Sequence, residues 1–258
     1  MVEPKRIGRQ RRDALLPWAS TPRALAPSSV EVQQIASNCL ERQKRRELQA
    51  GPLQRCPACY PRRMKISPVT LEGRFVRLEP LTTDHLDPLC EVGMDEAIWR
   101  FTLARVRSRE DMLAYIEDAL KLQRDGSALP FATVDRTSGK VAGSTRFGSI
   151  DRTHRRLEIG WTWLGARFQR TAINTEAKYL MLRHAFEELG AVRVELKTDS
   201  LNERSRNAIL RIGAKEEGTL RNHMITATGR LRHSVYFSVI DAEWATVKAG
   251  LEEKLGPR

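Results

Sequence analysis

One loop in this 258-residue chain places polar residues directly before a predicted helix, where they could bind an anion. The loop and the start of the helix contain Gln169, Arg170, Thr171, Ala172, Ile173, Asn174 and Thr175. Asn174 and Thr175 are good N-cap residues, and apolar residues then recur at helical spacing until Gly190, which is typical of a helix end. The first amides of a helix have no acceptor within it and lie at the positive end of its dipole. The loop therefore predicts a site for a pyrophosphate group.

The strand that precedes this loop carries a carboxylate among apolar residues. Apolar and polar residues alternate along it, the apolar set being Leu157, Ile159, Trp161 and Trp163. This period of two predicts that the apolar set faces a core and that Glu158 and Thr162 share the other face.

A second strand and a short helix follow and could form the other wall of a long, narrow ligand site. Val194 and Leu196 alternate in the strand, Asn202 is placed to cap the helix, and Gly213 is placed to end it. Ser205 lies one turn after Asn202, so both side chains can face the same end of the site.

These elements, in this order, resemble the GNAT superfamily of acyl-CoA-dependent N-acetyltransferases. The similarity is greatest to the RimJ/RimL-type branch, which acetylates the N-terminal alanine of ribosomal proteins. It extends from about Pro68 to Lys248 and includes the stretches LEGRFVRLEPL and GKVAGSTRFGSID upstream of LEIGWTW. The resemblance implies an α/β fold with a mixed, mostly antiparallel central sheet, flanked by helices and splayed at its central strands to hold acetyl-CoA.

The chain departs from the family pattern at two places. The family binds pyrophosphate with a Gln/Arg-x-x-Gly-x-Gly/Ala loop. Gln169 fits, but Ala172 stands where the first glycine is expected and Asn174 where glycine or alanine is expected. Alanine loses the freedom of glycine to adopt positive φ, whereas asparagine tolerates it, so we expect cofactor binding to survive. Many members also place a tyrosine seven residues after the asparagine, where this chain has Ile209; Ser205 matches the serine of the RimJ/RimL-type branch.

The resemblance implies that an amine attacks the thioester carbonyl of acetyl-CoA. It assigns the cofactor to Trp161, Thr162, Trp163, the loop from Gln169 to Thr175, and Asn202, with a backbone N–H near Gly160–Trp163 meeting the carbonyl oxygen. Glu158 is the candidate base, acting directly or through water, and Asn202 and Ser205 are candidates at the thiolate end. Each has a structural alternative: Glu158 could pair with an arginine, Asn202 could be a cap alone, and Ser205 could be a solvated serine. His223 is a weaker candidate base.

The charge of the chain is uneven. The net charge is +12, and residues 1–66 hold 14 basic and 5 acidic side chains, a net charge of +9. This leaves a net charge of +3 for residues 67–258. We predict that residues 1–66 are a basic, largely disordered extension with a short helix near Ser29–Leu48, and that residues 67–258 are the acetyltransferase domain.

Three interpretations of the extension stay open. It could be a basic arm that contacts the ribosome, RNA or an acidic partner, or it could be a small separate domain. Alternatively, residues 1–63 result from an upstream start, because Met64 would be an ordinary beginning just ahead of the first strand.

Cysteine usage and hydropathy limit the remaining classes. Cys56 and Cys59 form a CxxC without a second pair at zinc-ribbon distance, so we predict no metal. The sequence has no secretory signal and no membrane-length apolar run, which favours a cytoplasmic protein without membrane contact. The sequence leaves open whether it is a monomer or a homodimer.

The other elements predicted from turn and cap residues complete one α/β domain. They are a strand at Phe75–Leu81, a helix from Thr83 or Asp84 to Cys90, a helix from Ser108 to Gly126, hairpins of Phe131–Asp135 with Val141–Ile150 and Glu217–Thr226 with Leu231–Ile240, and a last helix capped by Asp241.

The acceptor amine is open at this stage. Family analogy offers a protein N-terminus, an aminoglycoside, a polyamine or a small amino compound, and Asp95–Arg107 is expected to line the acceptor side. Trp99 and Phe101 could wall the acceptor or belong to the core. Two other functions remain: an inactive acyl-CoA-binding module that acts as a sensor or scaffold, and a nucleic-acid-binding protein that uses the basic arm.

Overall fold

The computed structural model describes residues 64–257, so the predictions for residues 1–63, including the CxxC pair, lie outside the described residues. The strands are β1 (Leu71–Glu72), β2 (Val76–Pro80), β3 (Leu129–Asp135), β4 (Val141–Asp151), β5 (Arg156–Leu164), β6 (Arg193–Asp199), β7 (Lys215–Ile225) and β8 (Leu231–Ile240). The α-helices are α1 (Leu86–Gly93), α2 (Glu96–Trp99), α3 (Arg109–Arg124), α4 (Ala172–Arg183), α5 (Glu203–Arg211) and α6 (Trp244–Leu255). Short 3₁₀ segments occupy Thr83–His85, Ala166–Phe168 and Asp241–Glu243, and a π-helical segment at His184–Glu188 continues α4.

The strands form one open sheet of mixed direction. Their order is β1-β2-β3-β4-β5-β6-β8-β7. The pair β5–β6 is parallel, and every other neighbouring pair in this sheet is antiparallel. A mostly antiparallel sheet flanked by helices confirms the predicted fold class.

The two parallel strands separate along their length. Strand β5 pairs with β6 from Arg156 to Glu158, opposite Arg193 to Glu195. Beyond these residues β5 stays paired with β4, and β6 stays paired with β8 through Asp199. The facing edges of β5 and β6 therefore have no strand partner there, which is the splay that the resemblance implies. Because the strands are parallel, the helices α4 and α5 that follow them begin at this same open end.

Strand β5 contains a bulge that the alternating pattern does not show. Ser144 pairs with Trp163 and Arg146 pairs with Gly160, so one extra residue lies in β5 between these pairs. Trp161 has a φ of 50° and its side chain is 38% exposed. The prediction that Glu158 and Thr162 share a face is wrong, because the extra residue reverses the alternation after Gly160.

Helix α4 begins earlier than predicted. Thr171 is its N-cap, and its Oγ1 accepts a hydrogen bond from Ile173 N at 3.3 Å. The prediction of a cap at Asn174 or Thr175 is wrong: both residues lie within the first turns of the helix. Threonine at position 171 is itself a good cap, and the sequence contains three cap-type residues within five positions, so the pattern was ambiguous.

Most other boundaries follow the predicted turn and cap residues. Ser108 forms the predicted capping box with Asp111 at the start of α3, and Asn202 caps α5. The predicted Asp241 cap is wrong in detail, since a 3₁₀ turn at Asp241–Glu243 precedes α6. No helix within residues 64–257 is both long enough and apolar enough to cross a membrane.

Helices α3 and α4 lie on opposite faces of the sheet. Thr145 contacts Lys178 of α4, whereas the next residue, Arg146, contacts Tyr115 of α3. Successive side chains of a strand point to opposite faces, so these two contacts assign the helices to different layers. Buried apolar side chains from β2 to β8 fill the space beneath both layers.

Candidate active site

The bulge presents backbone groups of β5 at the open edge. Tyr115 Oη donates a hydrogen bond to the carbonyl oxygen of Trp161 at 3.3 Å, which holds the bulge from the α3 side. The ring of Trp161 lies over Gly148, where a Cβ atom would come within 2.3 Å of Trp161 Cζ3. Since β6 has turned away at this point, peptide groups on that edge of β5 are available to a ligand.

The first turn of α4 provides a second set of unpaired donors. The amides of Thr171, Ala172 and Asn174 have no acceptor within the helix. The carbonyl oxygen of an N-cap residue accepts from the amide four residues later, so the amides before that one have no carbonyl to reach. Arg170 adopts a left-handed φ of 63°, which turns the loop into the helix. The donors and the positive end of the helix dipole fit a diphosphate.

The loop residues that match the family motif hold this turn in place. Gln169 Nε2 donates to the carbonyl oxygen of Leu164, the last residue of β5, at 2.8 Å. Ala172 and Asn174 are not among the residues with positive φ, so neither needs the freedom of glycine here. The departure from the glycine pattern therefore adds no backbone strain at residues 172 and 174.

Helix α5 begins beside the same opening. Asn202 Oδ1 accepts a hydrogen bond from Ser205 N at 3.1 Å, and Asn202 N donates to the carbonyl oxygen of Asp199 at 2.9 Å. Asn202 therefore acts as a cap in this structure. The Asn202 side-chain Nδ2 and the hydroxyl of half-buried Ser205 have no hydrogen-bond partner among residues 64–257.

Glu158 lies where β5 and β6 begin to separate. Its side chain is buried, with 3% exposure, and its Oε2 is 2.8 Å from Lys197 Nζ and 3.3 Å from Ser149 Oγ, which donates to it. A Cβ atom at residue 160 would lie 2.7 Å from Glu158 Oε1, so the carboxylate extends over Gly160 toward the bulge. The structural alternative for Glu158 was an ion pair with an arginine. The structure shows an ion pair, but its partner is a lysine.

A group of basic and aromatic side chains surrounds this carboxylate on its β6 and β8 side. Lys197 Nζ lies 6.0 Å from the ring centroid of Trp161 and 5.7 Å from that of Tyr236. The His223 ring packs edge-on against Tyr236 at 5.6 Å. Burial, and then the nearby Lys197 and Arg232 cations, lower the pKa of His223, so its imidazole is neutral near pH 7.

Comparisons with known proteins identify the family. A family model described as an acetyltransferase (GNAT) domain matches residues 76–215, more than half of the chain. The chain belongs to the GNAT acetyltransferase family.

Relatives of this GNAT acetyltransferase extend over most of the described residues. The N-acetyltransferase p20 of Bacillus licheniformis, itself uncharacterized, is 27% identical over 180 residues, which cover 68% of this chain and 98% of p20. YdaF of Bacillus subtilis (strain 168), named as a candidate ribosomal N-acetyltransferase, is 34% identical over 106 residues, covering 41% of this chain and 57% of YdaF. A crystal structure of a GCN5-related N-acetyltransferase from Brucella melitensis gives a TM-score of 0.71 at 33% identity, covering 80% of this chain and 91% of that one.

The family membership makes this protein an acetyl-CoA-dependent acyltransferase. The GNAT fold implies acetyl-CoA as the co-substrate, and the free amides of α4 and the splay of β5 from β6 fit its diphosphate and its thin pantetheine arm. Among residues 64–257, no three His, Cys, Asp or Glu side chains converge to hold a metal ion.

The GNAT site brings together some of the predicted residues and excludes the side chains of others. Trp163 is 5% exposed and packs against Trp99 at a ring distance of 5.1 Å, so both side chains belong to the core beneath α2 and α3. Trp99 therefore does not wall an acceptor. Thr162 turns its side chain toward α4, where its hydroxyl accepts a hydrogen bond from Lys178 Nζ at 2.6 Å.

Two buried cations near the bulge were missed by the sequence reasoning. Arg146 is 2% exposed and Lys178 is 6% exposed. Arg146 had a detectable signal, because an arginine within the predicted strand GKVAGSTRFGSID interrupts a run of small and apolar residues. Lys178 had none, since a lysine between Ala177 and Tyr179 is ordinary in an amphipathic helix.

Proposed function

We propose that this acetyltransferase moves the acetyl group of acetyl-CoA to a primary amine, and that Glu158 is the base. The observation that carries this proposal is the position of the Glu158 carboxylate: buried, at the point where β5 leaves β6, and extended over Gly160 toward the bulge. A carboxylate in this position is next to the backbone donors that a thioester carbonyl would meet.

Three parts of the chain have separate tasks in this scheme. The amides of Thr171, Ala172 and Asn174 hold the diphosphate, and a β5 amide between Gly160 and Trp163 donates to the carbonyl oxygen of the acetyl group. The unpaired side-chain Nδ2 of Asn202 and the hydroxyl of Ser205 are donors at the sulfur end of the site. When bound, acetyl-CoA supplies an acetyl group activated as a thioester.

The proton balance follows from these positions. As the acceptor nitrogen bonds to the carbonyl carbon, Glu158 takes the proton that the nitrogen loses, directly or through water. The carbon–sulfur bond breaks and CoA leaves as the thiolate, to which the Ser205 hydroxyl can donate a hydrogen bond. Lys197 sits 2.8 Å from Glu158 and offsets the cost of burying this carboxylate.

Substitution of Glu158 by Gln tests the assignment. Glu158→Gln should lower kcat/KM by about 10²-fold or more, because general base catalysis typically contributes that much. Binding of acetyl-CoA, measured as a rise in thermal midpoint, should persist. Unchanged turnover would contradict the proposal.

Glu195 provides a matched control. It pairs with Glu158 across β5 and β6 at the closed end of the splay and forms ion pairs with Arg156 and Arg193. Glu195→Gln therefore removes a neighbouring carboxylate without touching the proposed site, and its kcat/KM should stay within about threefold of that of the wild type.

We further propose that the acceptor is a protein N-terminus or a small amine. The name of YdaF supports a ribosomal protein, and this support is limited to that relative's name. Thiol release measured over peptides that begin with alanine or serine, free amino acids, polyamines and aminoglycosides would separate these classes. The contact of residues 1–66 with the ribosome, the domain boundary after residue 66 and the cytoplasmic location stay predictions.

A further inference from the structure

Arg146 is a buried cation that lies between two aromatic rings. Its guanidinium carbon is 5.0 Å from the ring centroid of Tyr115 and 5.1 Å from that of Trp161. The side chain is 98% buried, and its Nε has no hydrogen-bond partner. Among residues 64–257, no carboxylate lies within ion-pairing distance of it.

This arrangement is costly unless a ligand completes it. An arginine cannot shed its proton in a protein, so burial leaves it charged. Aromatic faces attract a cation, but they do not accept the in-plane hydrogen bonds of a guanidinium. Buried charges in folded proteins are normally paired, and one that is not paired points to a functional constraint.

The position of Arg146 connects it with the proposed base. Arg146 pairs with Gly160 across β4 and β5, on the face that also carries the ring of Trp161. Glu158 pairs with Gly148 on that same face, and its carboxylate extends over Gly160. A base and an unpaired guanidinium therefore flank one glycine at the bulge, and diagonal neighbours on a sheet face are about 7–8 Å apart.

We propose that Arg146 is the anion subsite of the acceptor, and that the acceptor amine belongs to a molecule with a carboxylate within a few bonds of its nitrogen. This inference rests on the proposed function, because it uses Glu158 as the group that receives the amine. The carboxylate pairs with the guanidinium between Tyr115 and Trp161, and the amine then lies over Gly160. A free amino acid, or a peptide with an acidic residue next to its N-terminus, has this chemistry.

The charges on the two sides of Trp161 favour a carboxylate over an amine at this position. Lys197 is already paired with Glu158, whereas Arg146, 5.1 Å from the ring centroid of Trp161, has no carboxylate partner among residues 64–257. A planar guanidinium matches a carboxylate with two parallel hydrogen bonds. A polyamine or an aminoglycoside would bring further positive charge to an unpaired cation.

Paired acceptors that differ only in the carboxylate give the test. One comparison sets α-amino acids beside their amides, and another sets peptides that begin Ala-Asp beside peptides that begin Ala-Asn. An additional acceptor, 2-aminoethyl phosphate, tests whether a phosphate can replace the carboxylate. Binding of each acceptor, and of its N-acetylated product with CoA, is measured by calorimetry, and turnover by thiol release. We expect the wild type to prefer one carboxylate class over its amide by about tenfold or more in affinity and in kcat/KM.

Variants of Arg146 assign the preference to this side chain. Arg146→Met should remove the preference, leave the thermal shift with acetyl-CoA intact, and keep or raise the thermal midpoint, because it removes an unpaired buried charge. Arg146→Lys should retain part of the preference. Arg152, an exposed arginine on the turn after β4, is the control, and Arg152→Met should keep the full preference.

The outcomes separate this inference from the proposed function. Three results would each overturn the subsite. The wild type could use acids and amides equally, or it could prefer the phosphate over the carboxylate. Arg146→Met could also lose activity equally on all acceptors and have a lower thermal midpoint. Absence of turnover with every acceptor would contradict the proposed transfer. In that case binding alone decides the subsite: carboxylate binding that depends on Arg146 supports it, and its absence overturns it.

Discussion

The scaffold around the start of helix α4 and the region around the bulge of β5 both contain buried charged side chains. The protein pairs these charges differently in the two regions. Glu176 of α4 accepts hydrogen bonds from the backbone amides of Arg74, Phe75 and Val76 at 2.7, 2.5 and 2.8 Å. Lys178, two residues later on the same helix, donates to the hydroxyls of Thr162 and Thr145 at 2.6 and 3.4 Å. One charge is fully paired by the backbone, whereas the other contacts hydroxyls.

The difference follows the division between scaffold and site. Glu176 ties α4 to the start of β2, and Gly73 leaves room for its carboxylate, since a Cβ there would lie 2.3 Å from Glu176 Cδ. Around the bulge, by contrast, Lys178 and Arg146 are buried on opposite faces without a carboxylate partner among residues 64–257. Charged groups that the fold leaves incompletely paired are expected at functional positions, where a ligand or a catalytic geometry compensates for them.

Removal of the Glu176 carboxylate should have the largest effect on stability. Glu176→Ala leaves three backbone amides of the β1–β2 turn without an acceptor, so we expect a loss of about 3–5 kcal/mol in the free energy of unfolding. Urea denaturation monitored by circular dichroism would measure it. Glu188, an exposed carboxylate in the π-helical segment, is the control, and Glu188→Ala should change stability by less than about 0.5 kcal/mol. Similar losses in both variants would mean that the three amide contacts of Glu176 are not the cause.

The Lys178 charge should lower the free energy of unfolding, whereas the Glu176 carboxylate raises it. Burial lowers the pKa of Lys178 to about 7, well below its ordinary value of 10.5. Between these two values the unfolded chain holds a proton that the folded protein lacks, so stability due to this group rises with pH from about 7 to 10.5 and is lowest below 7.

Replacement of Lys178 by Met should therefore stabilise the protein at acidic pH. The hydroxyls of Thr145 and Thr162 still pair with each other at 2.7 Å, so Met leaves no polar group newly unpaired. We expect Lys178→Met to raise the free energy of unfolding by about 1–3 kcal/mol at pH 6, with a smaller gain at pH 9.5. Denaturant titrations at both pH values measure this, and an equal gain at both would show that the charge is not the cause.

The sequence predicts the parts of this fold that local chemistry determines. The hairpin turns contain Gly139 and Gly229 at φ values of 69° and 81°, and the ends of two helices contain Gly190 and Gly213 at 66° and 93°. These positions favour glycine for a local reason, so a reader of the sequence can find them. Asn202 is recognised as a cap for the same kind of reason.

The bulge and the buried cations depend on contacts between distant segments. Trp161 has a left-handed backbone, Tyr115 of α3 donates a hydrogen bond to its carbonyl oxygen, and Gly148 leaves room for its ring. The sequence around residue 161 contains neither of these partners. The early start of α4 is an error of another kind, because Thr171, Asn174 and Thr175 are all cap-type residues and the local pattern did not choose among them. The candidate site is thus predictable in its elements and its carboxylate, but its geometry depends on tertiary contacts.

The cap of α5 should have a moderate effect. Asn202→Ala removes the acceptor of the Ser205 amide, so we expect a loss of about 1 kcal/mol in the free energy of unfolding. Asn207, exposed within the same helix, is the control, since Asn207→Ala makes the same chemical change and should stabilise slightly. A loss of acetyl-CoA affinity in Asn202→Ala beyond that in Asn207→Ala would add a ligand contact to the cap.

Ala172 should have the smallest effect and also tests the anion site most directly. It is the first residue of α4 and has no positive φ, so glycine gains nothing from its extra freedom and costs about 0.5 kcal/mol of stability or less. The amide of residue 172 keeps its direction in Ala172→Gly, so the dissociation constant for acetyl-CoA, measured by calorimetry, should stay the same or fall slightly. A clear rise would mean that the Ala172 methyl group contacts the ligand, and that the diphosphate lies on the side of the turn rather than on the amides at its end.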